Sequence, residues 1–535
     1  MSTLAKSVKI ASVNDFTTTF AKKQVQIPGS ESNVLVSKIK DKFYVTSPKC
    51  THYGAPLEKG VLTPDGTIRC PWHGACFKVT SGDVEDAPAL DALQTFPVEI
   101  KDGDIYINAD SNKLSHQKRV PCQKVSISSE EHIVIVGGGS GGISAAQTLR
   151  THGFAGKVTM ITSEGYLPID RTKLSKALIT DPSKILLREE SFFKEFSIDV
   201  VYDKVTGVSS NANKVTMEKR GDLEYTTLIL STGGSPRSLP MPGFDSSNVY
   251  MLRSVPQAKA IVDATSSGNP KIVVLGSSWI GLEISLALKG KDITCVGMEQ
   301  TPVETILGPE VGRAIQSIHE ANGVKFKLGA SIKGSKTENS KVTHIELKDG
   351  TLIPADVVIM AVGVAPQTSY LKDFPLEKDG SVQVDSYLRV KGFKNIFACG
   401  DIATFPFKNG AANGDGHLTR IEHWDVAMNH GQIAARNAMG HKIEFEKIPI
   451  FWSAQGGQLR YAGHPTTLKY DTIIKGNLKE KAFLAYYAEG DKITAVAGMG
   501  MDPVPMKAAA LFAAGMFPSR KEIEDGLDIL QIEMA

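Results

Sequence analysis

The sequence predicts a multidomain chain. A small all-β domain comes first, an α/β part with two Rossmann-like dinucleotide-binding halves follows, and a C-terminal α+β domain closes it. Three observations predict this. Residues 5–108 read as short alternating strands (VKIA, QVQI, VLVSKI, KFYVT, FPVEI, DIYIN) separated by Gly and Asp turns. Two later segments each run from a buried apolar strand through a glycine-rich turn into a helix. Beyond residue 447, the strands LAYYAEG and KITAVAGMG accompany the apolar helix MKAAALFAAGMF. With 535 residues the chain has room for three or four domains. Its net charge of +2 gives no electrostatic case for nucleic acid or an acidic membrane surface.

Within the β domain, CTHYGAPL and CPWHGACF carry Cys50, His52, Cys70 and His73. The spacing is Cys-x-His, seventeen residues, then Cys-x-x-His. Two thiolates and two imidazoles on paired loops fit a Rieske [2Fe–2S] centre, where two His replace two Cys on one iron. A Cys₂His₂ zinc site uses the same residue types, but zinc fingers put both cysteines first. Here each loop supplies one of each, so an iron can draw its pair from both loops. Zinc, or plain structural residues, stay as the alternatives. Gly54, Pro56, Pro71 and Gly74 suit tight loops around a buried group. Cys76 reads as a small buried thiol rather than a shield for the cluster. The chain has six cysteines, and Cys122, Cys295 and Cys399 are scattered, which fits a reducing compartment better than a disulfide framework.

Residues 109–130 are polar and lack an apolar period, so 111–130 is expected to be a linker that lets the β domain dock or swing. Then HIVIVGGGSGGISAAQTL sets Gly137, Gly139 and Gly142 as G-x-G-x-x-G between a strand and a helix. The glycines permit a tight turn, close approach of a pyrophosphate and helix–strand packing, and the helix N-terminus favours the phosphate charge. Glu164 ends the next strand, at the distance expected for a ribose hydroxyl. The pattern recurs in KIVVLGSSWIGLEISLALKGKDITCVGMEQ, with Gly276 and Gly281 in the first and third places and Ser278 in the middle one. Glu299 ends its second strand. A carboxylate there accepts from a free 2′-hydroxyl and repels a 2′-phosphate, so NADH is expected over NADPH. A second unit that packs but binds nothing is the bland alternative.

The strands LILSTGG, VVIMAVG and NIFACGD run into Gly, Pro or Asp turns. The apolar helix at 506–517 is too short to span a bilayer and reads as core, with an oligomer contact as the alternative. No stretch approaches a membrane span, and the first residues lack an apolar signal core and are not Arg-rich. A cytoplasmic location is therefore expected, with a mitochondrial one as the alternative.

The quartet makes residues 5–110 resemble Rieske ferredoxins. From residue 132 the chain resembles the two-dinucleotide-fold flavoprotein reductases, in the ferredoxin-reductase and apoptosis-inducing-factor branch. The combined layout resembles the apoptosis-inducing-factor-like proteins with an N-terminal Rieske domain. The resemblance implies a Rieske domain at 5–110, a linker at 111–130 and an FAD domain at 131–254 and 381–446. It also implies an NADH domain at 255–380 and a C-terminal interface domain at 447–535. It implies that Gly137, Gly139, Gly142 and Glu164 hold the FAD adenosine and pyrophosphate. LPIDRTKLSK places Arg171 and Lys176 by the FAD, with Lys176 near the flavin N5 edge and paired with Glu283 as the catalytic couple. Asp401 of CGD takes the ribityl–phosphate region. Glu422, His423 and Trp424 of EHWDVA lie where flavin meets nicotinamide, and Trp452 of FWSAQ lies against the flavin. Ordinary packing is the alternative for His423 and Trp424, and a solvated surface pair for Lys176 and Glu283.

No Cys-x-x-Cys or Cys-x₄-Cys lies near the FAD fingerprint, so disulfide-reductase chemistry is not expected. NADH, FAD and a [2Fe–2S] cluster in one chain imply electron transfer from NADH to an external acceptor, protein or small molecule, leaving through the exposed edges of His52 and His73. Two alternatives stay open: a component feeding an oxygenase, and an NADH-sensing redox or apoptosis effector with slow turnover. A homodimer is possible.

Overall fold

The computed structural model describes residues 7–108, 111–408, 416–467 and 469–534. No predicted site residue lies outside them, but residues 1–6, where a leader would be read, do.

Period-2 alternation in the N-terminal domain becomes two small sheets. Ser7–Ser12 pairs with Asp104–Asn108, which pairs with Val98–Lys101. Phe20–Gln26, Asn33–Ile39, Lys42–Thr46 and Thr95–Phe96 form the other. Their inward residues Val34, Val36, Val45, Ile105 and Ile107 make one core. A third, four-stranded sheet escaped the sequence pattern: Val61–Leu62, Thr67–Arg69, Cys76–Lys78 and Val84–Asp86. Strands of two or three residues are too short to show alternation, yet this sheet carries the loop of Cys70 and His73.

The expected free linker is fastened instead. It holds a helix, Ser111–Ser115, and a short strand, Lys118–Arg119, paired with Ala92–Leu93. Leu114 is buried in the β-domain core, and Arg119 ion-pairs with Asp83. At the far end the Gln123 amide donates to the Arg150 carbonyl at 3.0 Å. The anchors are single residues, which leave no period in the sequence.

Both Rossmann-like halves are built on parallel five-stranded sheets. The first is ordered Ile198–Tyr202, Lys157–Thr162, His132–Val136, Thr227–Leu230, Ile396–Ala398. Its last strand returns from residue 396, so the second half is inserted within the first. The second is ordered Val249–Met251, Val357–Met360, Lys271–Leu275, Asp292–Val296, Val324–Lys327. Both faces of such sheets are covered, which is why HIVIV and KIVVL read as unbroken apolar runs. Helix Trp424–Ala438 crosses helix Ser140–Thr151 closely. A Cβ on Gly431 would lie 2.2 Å from the Gly141 carbonyl oxygen.

The C-terminal domain is an antiparallel sheet ordered Ile450–Ala454, Gln458–Gly463, Lys492–Met499, Ala482–Glu489, Asp471–Asn477. Helix Val504–Ala513 lies buried on it and also touches Val61 of the N-terminal domain. Full burial of Leu511 and Phe512 is worth roughly 1.5–3 kcal/mol each. The helix is core, which removes the sequence's ground for an oligomer contact through it. Among the described residues no helix is long and apolar enough to cross a membrane.

Candidate functional site

A cavity of about 590 Å³ opens where the two Rossmann-like halves and the C-terminal sheet meet. The first glycine turn forms its floor. A Cβ on Gly137, at φ +121°, would sit 2.1 Å from the Ser231 carbonyl oxygen, and one on Gly142 would sit 1.9 Å from that of Gly137. These two glycines bring strand, turn and helix together. Gly139 differs: a Cβ there would meet nothing within 4 Å, because it faces the open cavity. Backbone bared toward a void at a helix N-terminus fits a pyrophosphate, so the turn passes the test for a dinucleotide such as FAD.

Charged groups line the walls. Arg171 donates to both Glu164 oxygens, at 2.9 and 2.7 Å, and Tyr166 Oη donates to Oε1 at 2.9 Å. Burial pushes the Glu164 carboxyl up, but Arg171 outweighs it and the net shift is downward. Glu164 is thus an oriented carboxylate on the cavity wall, with Arg171 shared between the two predicted roles. Asp401 accepts from Arg253 at 2.9 Å, and its carbonyl accepts from Arg420 at 3.1 Å. Sequence reasoning missed Arg253. It follows the edge strand Val249–Met251 with no motif around it.

Lys176 and Glu283 are brought together, at 3.0 Å. Glu283 is 4% exposed, which excludes the solvated surface pair. Ser175 Oγ donates to Oε2 at 2.5 Å and Ser453 Oγ to Oε1 at 2.6 Å, so each carboxylate oxygen has a hydroxyl besides the ammonium. The Lys176 head lies on the cavity wall, as do Glu422, His423 and Trp424. His423 is half-buried against Phe451, with ring centroids 4.5 Å apart. Burial lowers its pKa to about 3, and its Nδ1 has no partner. A neutral imidazole with an unspent nitrogen on a cavity wall suits a polar ligand there.

The second half lines the cavity through the helix start at Ser278, Trp279, Ile280 and Glu283 and through the segment that runs from Met360 and Ala361 to Gln367 and Tyr370. Gly276 and Gly281 pack the turn: a Cβ on Gly281 would be 2.1 Å from the Gly276 carbonyl oxygen. Ser278 starts the helix Trp279–Ala287 without capping it, leaving its hydroxyl unused by that helix. Glu299 lies outside the cavity. It accepts from the Glu304 and Thr305 amides at 3.0 and 3.1 Å, and from the Thr305 hydroxyl. It caps the following helix, a duty the sequence reading did not assign.

The quartet folds as two like pairs. Cys50 and Cys70 are buried together among Ala55, Leu57, Ile68 and Phe77. Their thiols share a hydrogen bond that pushes the Cys50 thiol up and holds that of Cys70 down. His52 Nδ1 and His73 Nδ1 face each other at 3.2 Å. Burial lowers these imidazoles to about 4 and about 2, keeping both neutral and ready to ligate. Among the described residues no three His, Cys, Asp or Glu side chains surround one ion position. Two cysteines beside two histidines fit the two irons of a [2Fe–2S] group rather than one zinc. Cys76 is a buried thiol, raised to about 11 by burial, as the sequence suggested.

One expectation is corrected in part. The histidine edges were expected to be exposed, as the exit. His73 is 7% exposed, whereas His52 keeps a partly exposed edge beside Tyr53. Trp452 lies 4.5 Å from the His73 ring and 6.0 Å from His52, and it also lines the cavity. Arg460 donates to the Trp72 carbonyl at 2.8 Å and closes the side. Arg460 lies 388 positions downstream of Trp72, a separation that a local pattern cannot show.

Comparison with known proteins agrees with this geometry. The family described as pyridine nucleotide-disulphide oxidoreductase matches residues 131–431. The Rieske [2Fe-2S] domain matches residues 6–97, and the reductase C-terminal domain residues 450–530. The chain is 35% identical to apoptosis-inducing factor 3 of Homo sapiens, over 92% of this chain and 82% of that protein. It is 30% identical to rhodocoxin reductase of Rhodococcus erythropolis, over 72% of this chain and 90% of that protein. The solved covalent putidaredoxin reductase–putidaredoxin complex superposes with a TM-score of 0.67 at 25% identity, covering 72% of this chain and 94% of that one.

Proposed function

We infer the following function for a chain that belongs to the pyridine nucleotide-disulphide oxidoreductase family and carries a Rieske [2Fe–2S] domain ahead of its reductase. It is an NAD(P)H-dependent flavin oxidoreductase whose cofactors are FAD, NAD(H) and a [2Fe–2S] cluster, and it moves electrons from the nicotinamide toward the cluster. When bound, FAD supplies the exchange between a two-electron hydride and single electrons, and the cluster supplies one-electron carriage.

The rest of the mechanism belongs to the chain's own side chains. The turn of Gly137, Gly139 and Gly142 and the helix behind it bind the pyrophosphate, and Glu164, held by Arg171, orients the ribose. Asp401, held by Arg253 and Arg420, orients the ribityl–phosphate region. Glu283, fixed by Ser175 and Ser453, keeps the Lys176 ammonium turned into the cavity, where it balances negative charge arriving with a hydride. Ser278 and Gly276 approach the nicotinamide dinucleotide from the second half, Gly281 packs their turn, and Glu299 favours a free 2′-hydroxyl, hence NADH. Glu422, His423 and Trp424 wall the meeting point and exclude water. Trp452 separates that point from His73 and His52. Cys50, Cys70, His52 and His73 hold the cluster.

The observation carrying this reading is Trp452, one side chain that lines the cavity and touches both histidines. The external acceptor is a one-electron carrier such as a ferredoxin or rubredoxin, a reading supported by similarity to a ferredoxin–NAD(P)(+) reductase of Sphingomonas sp and a rubredoxin–NAD(+) reductase of Pseudomonas putida. Anaerobic titration of the purified holoprotein with NADH, following flavin and cluster absorbance together, tests it. Both chromophores are expected to bleach. A cluster left oxidised beside a fully reduced flavin would overturn the reading. A slow NADH sensor is the second reading, supported by the 35% identity to apoptosis-inducing factor 3. It predicts slow turnover with added ferricyanide.

A further inference from the structure

The Rieske domain is joined to the reductase by a ring of buried polar contacts as well as by Trp452. On one rim Lys447 ion-pairs with Asp86 and donates to the Glu85 carbonyl at 3.3 Å. The Ala87 amide donates to Asn429 Oδ1 at 2.8 Å. On another rim Arg188 pairs with Asp91 at 2.6 Å, and Gln147 donates to the Leu90 carbonyl at 2.5 Å. Tyr53 donates to Asp170 beside the histidines.

The Lys447 contact reaches further than the others. Asp86 also pairs with Arg69 at 2.7 Å. Arg69 directly precedes Cys70, and its other nitrogen donates to the Gly74 carbonyl at 3.0 Å. Lys447, Asp86 and Arg69 therefore form a continuous chain of bonds from the reductase to both ends of the loop that carries Cys70 and His73. Asp86 is 7% exposed and Arg69 9%, so the inner pair is shielded from water and salt, and only the Lys447 end is partly exposed. Breaking a buried ion pair on one side leaves an uncompensated charge, which penalises displacement of the loop.

We propose that Lys447 is a positioning residue for internal electron transfer: through Asp86 and Arg69 it holds the His73 loop against Trp452, so that electrons cross within one chain without domain movement. The proposal rests on the electron-transfer reading above. The balance closes with a one-electron acceptor: one NADH and two ferricyanide give NAD⁺, one proton and two ferrocyanide.

The test uses the full-length holoprotein, mixed anaerobically with NADH in a stopped-flow instrument, with flavin and cluster bands followed separately. In Lys447→Met the flavin phase is expected to stay within about twofold of wild type, since Lys447 does not line the cavity. The cluster phase is expected to slow by at least about tenfold, because small misplacements are costly in rate. Lys447→Arg, which keeps the charge, is expected to restore it. Hydrogen exchange reads the interface apart from turnover: the Ala87 amide and the 113–123 segment are expected to exchange faster in Lys447→Met and not in Lys447→Arg. Asp86→Asn, which removes the charge that joins Lys447 to Arg69, is expected to slow the cluster phase as well and decides the matter if Lys447→Met does not fold. A cluster phase unchanged in the folded variants overturns the proposal alone. A wild-type cluster that NADH never reduces overturns the electron-transfer reading beneath it.

Discussion

In the first Rossmann-like half, Gly139 opens onto a deep cavity and Glu164 lies on its wall, held by Arg171 and Tyr166. In the second, the helix start at Ser278 lines the same cavity, but Glu299 sits outside it, bonded to the helix at Glu304 and Thr305. Two copies of one fingerprint thus build different sites. The first sets its glycine turn and its acid on one cavity wall. The second sets only its turn and helix start there and turns its acid to the following helix. The shared motif supplies only the phosphate-binding turn, and depth is set by what packs over it, here the C-terminal sheet with Phe451 and Trp452.

The sharpest way to break this comparison is to spoil each turn in the same way. Gly142→Ala drives a Cβ to 1.9 Å from the Gly137 carbonyl oxygen. Purified Gly142→Ala protein is expected to lack flavin absorbance. Gly281→Ala makes the matching clash, at 2.1 Å. It is expected to retain FAD and lose NADH-driven flavin reduction by roughly a hundredfold or more. Flavin loss in Gly281→Ala would show that the halves are not independent.

Acid acts on both halves through buried histidines: His430 in the first and His319 in the second are fully buried, and burial lowers both, His430 to about 3. The unfolded chain takes up a proton near pH 6.5, while folded His430 refuses it until pH falls to about 3. The contribution of His430 is therefore full above pH 6.5 and lost as pH falls toward 3, at about 1.4 kcal/mol per pH unit. Denaturant titrations at pH 7 and pH 5 should differ by roughly 2 kcal/mol less in His430→Gln than in wild type. An unaltered difference would place the acid sensitivity elsewhere.

Smaller effects sharpen the second half. NADH should exceed NADPH in kcat/KM, and Glu299→Ala should narrow the gap by about tenfold, the low end for a charged hydrogen bond, because helix donors already occupy that carboxylate. A wild-type preference for NADPH would refute the assignment. Ser278→Gly, which clears the middle position, should change the KM for NADH by no more than about threefold. A larger rise would mean that the unused hydroxyl binds the pyrophosphate.

Much of this was legible in the sequence because its signals are local. Gly137 to Glu164, Gly276 to Glu299, and the paired Cys-x-His and Cys-x-x-His motifs each lie within a few dozen residues, and each recurs in the fold at the expected turn. The Lys176–Glu283 pair came from resemblance and is met in the geometry. What stayed hidden depends on partners far away in the chain. Lys447 meets Asp86 across 361 positions, and Trp452 covers histidines near the other end of the chain. Arg253 finds Asp401 across 148. No period marks such pairs. The burial of His73 behind Trp452 and the fastening of the linker were missed for that reason.

Gly74 closes the account in another register, that of parts and their interchange. It sits at φ +79° directly after His73, where a Cβ would come within 2.6 Å of Ile450 Cδ1 and 3.4 Å of the Met506 sulfur. The absence of a side chain at one position of the first domain thus fits a bulge made by two residues of the last. The two modules are cut to one another. A foreign iron–sulfur domain grafted onto this reductase would need a glycine at that place and an acid for Lys447. This reductase, stripped of its own domain, would present Ile450 and Trp452 bare to water. The fusion is therefore more than a tether that raises local concentration: the chain has exchanged the freedom of a separable carrier for a fitted joint.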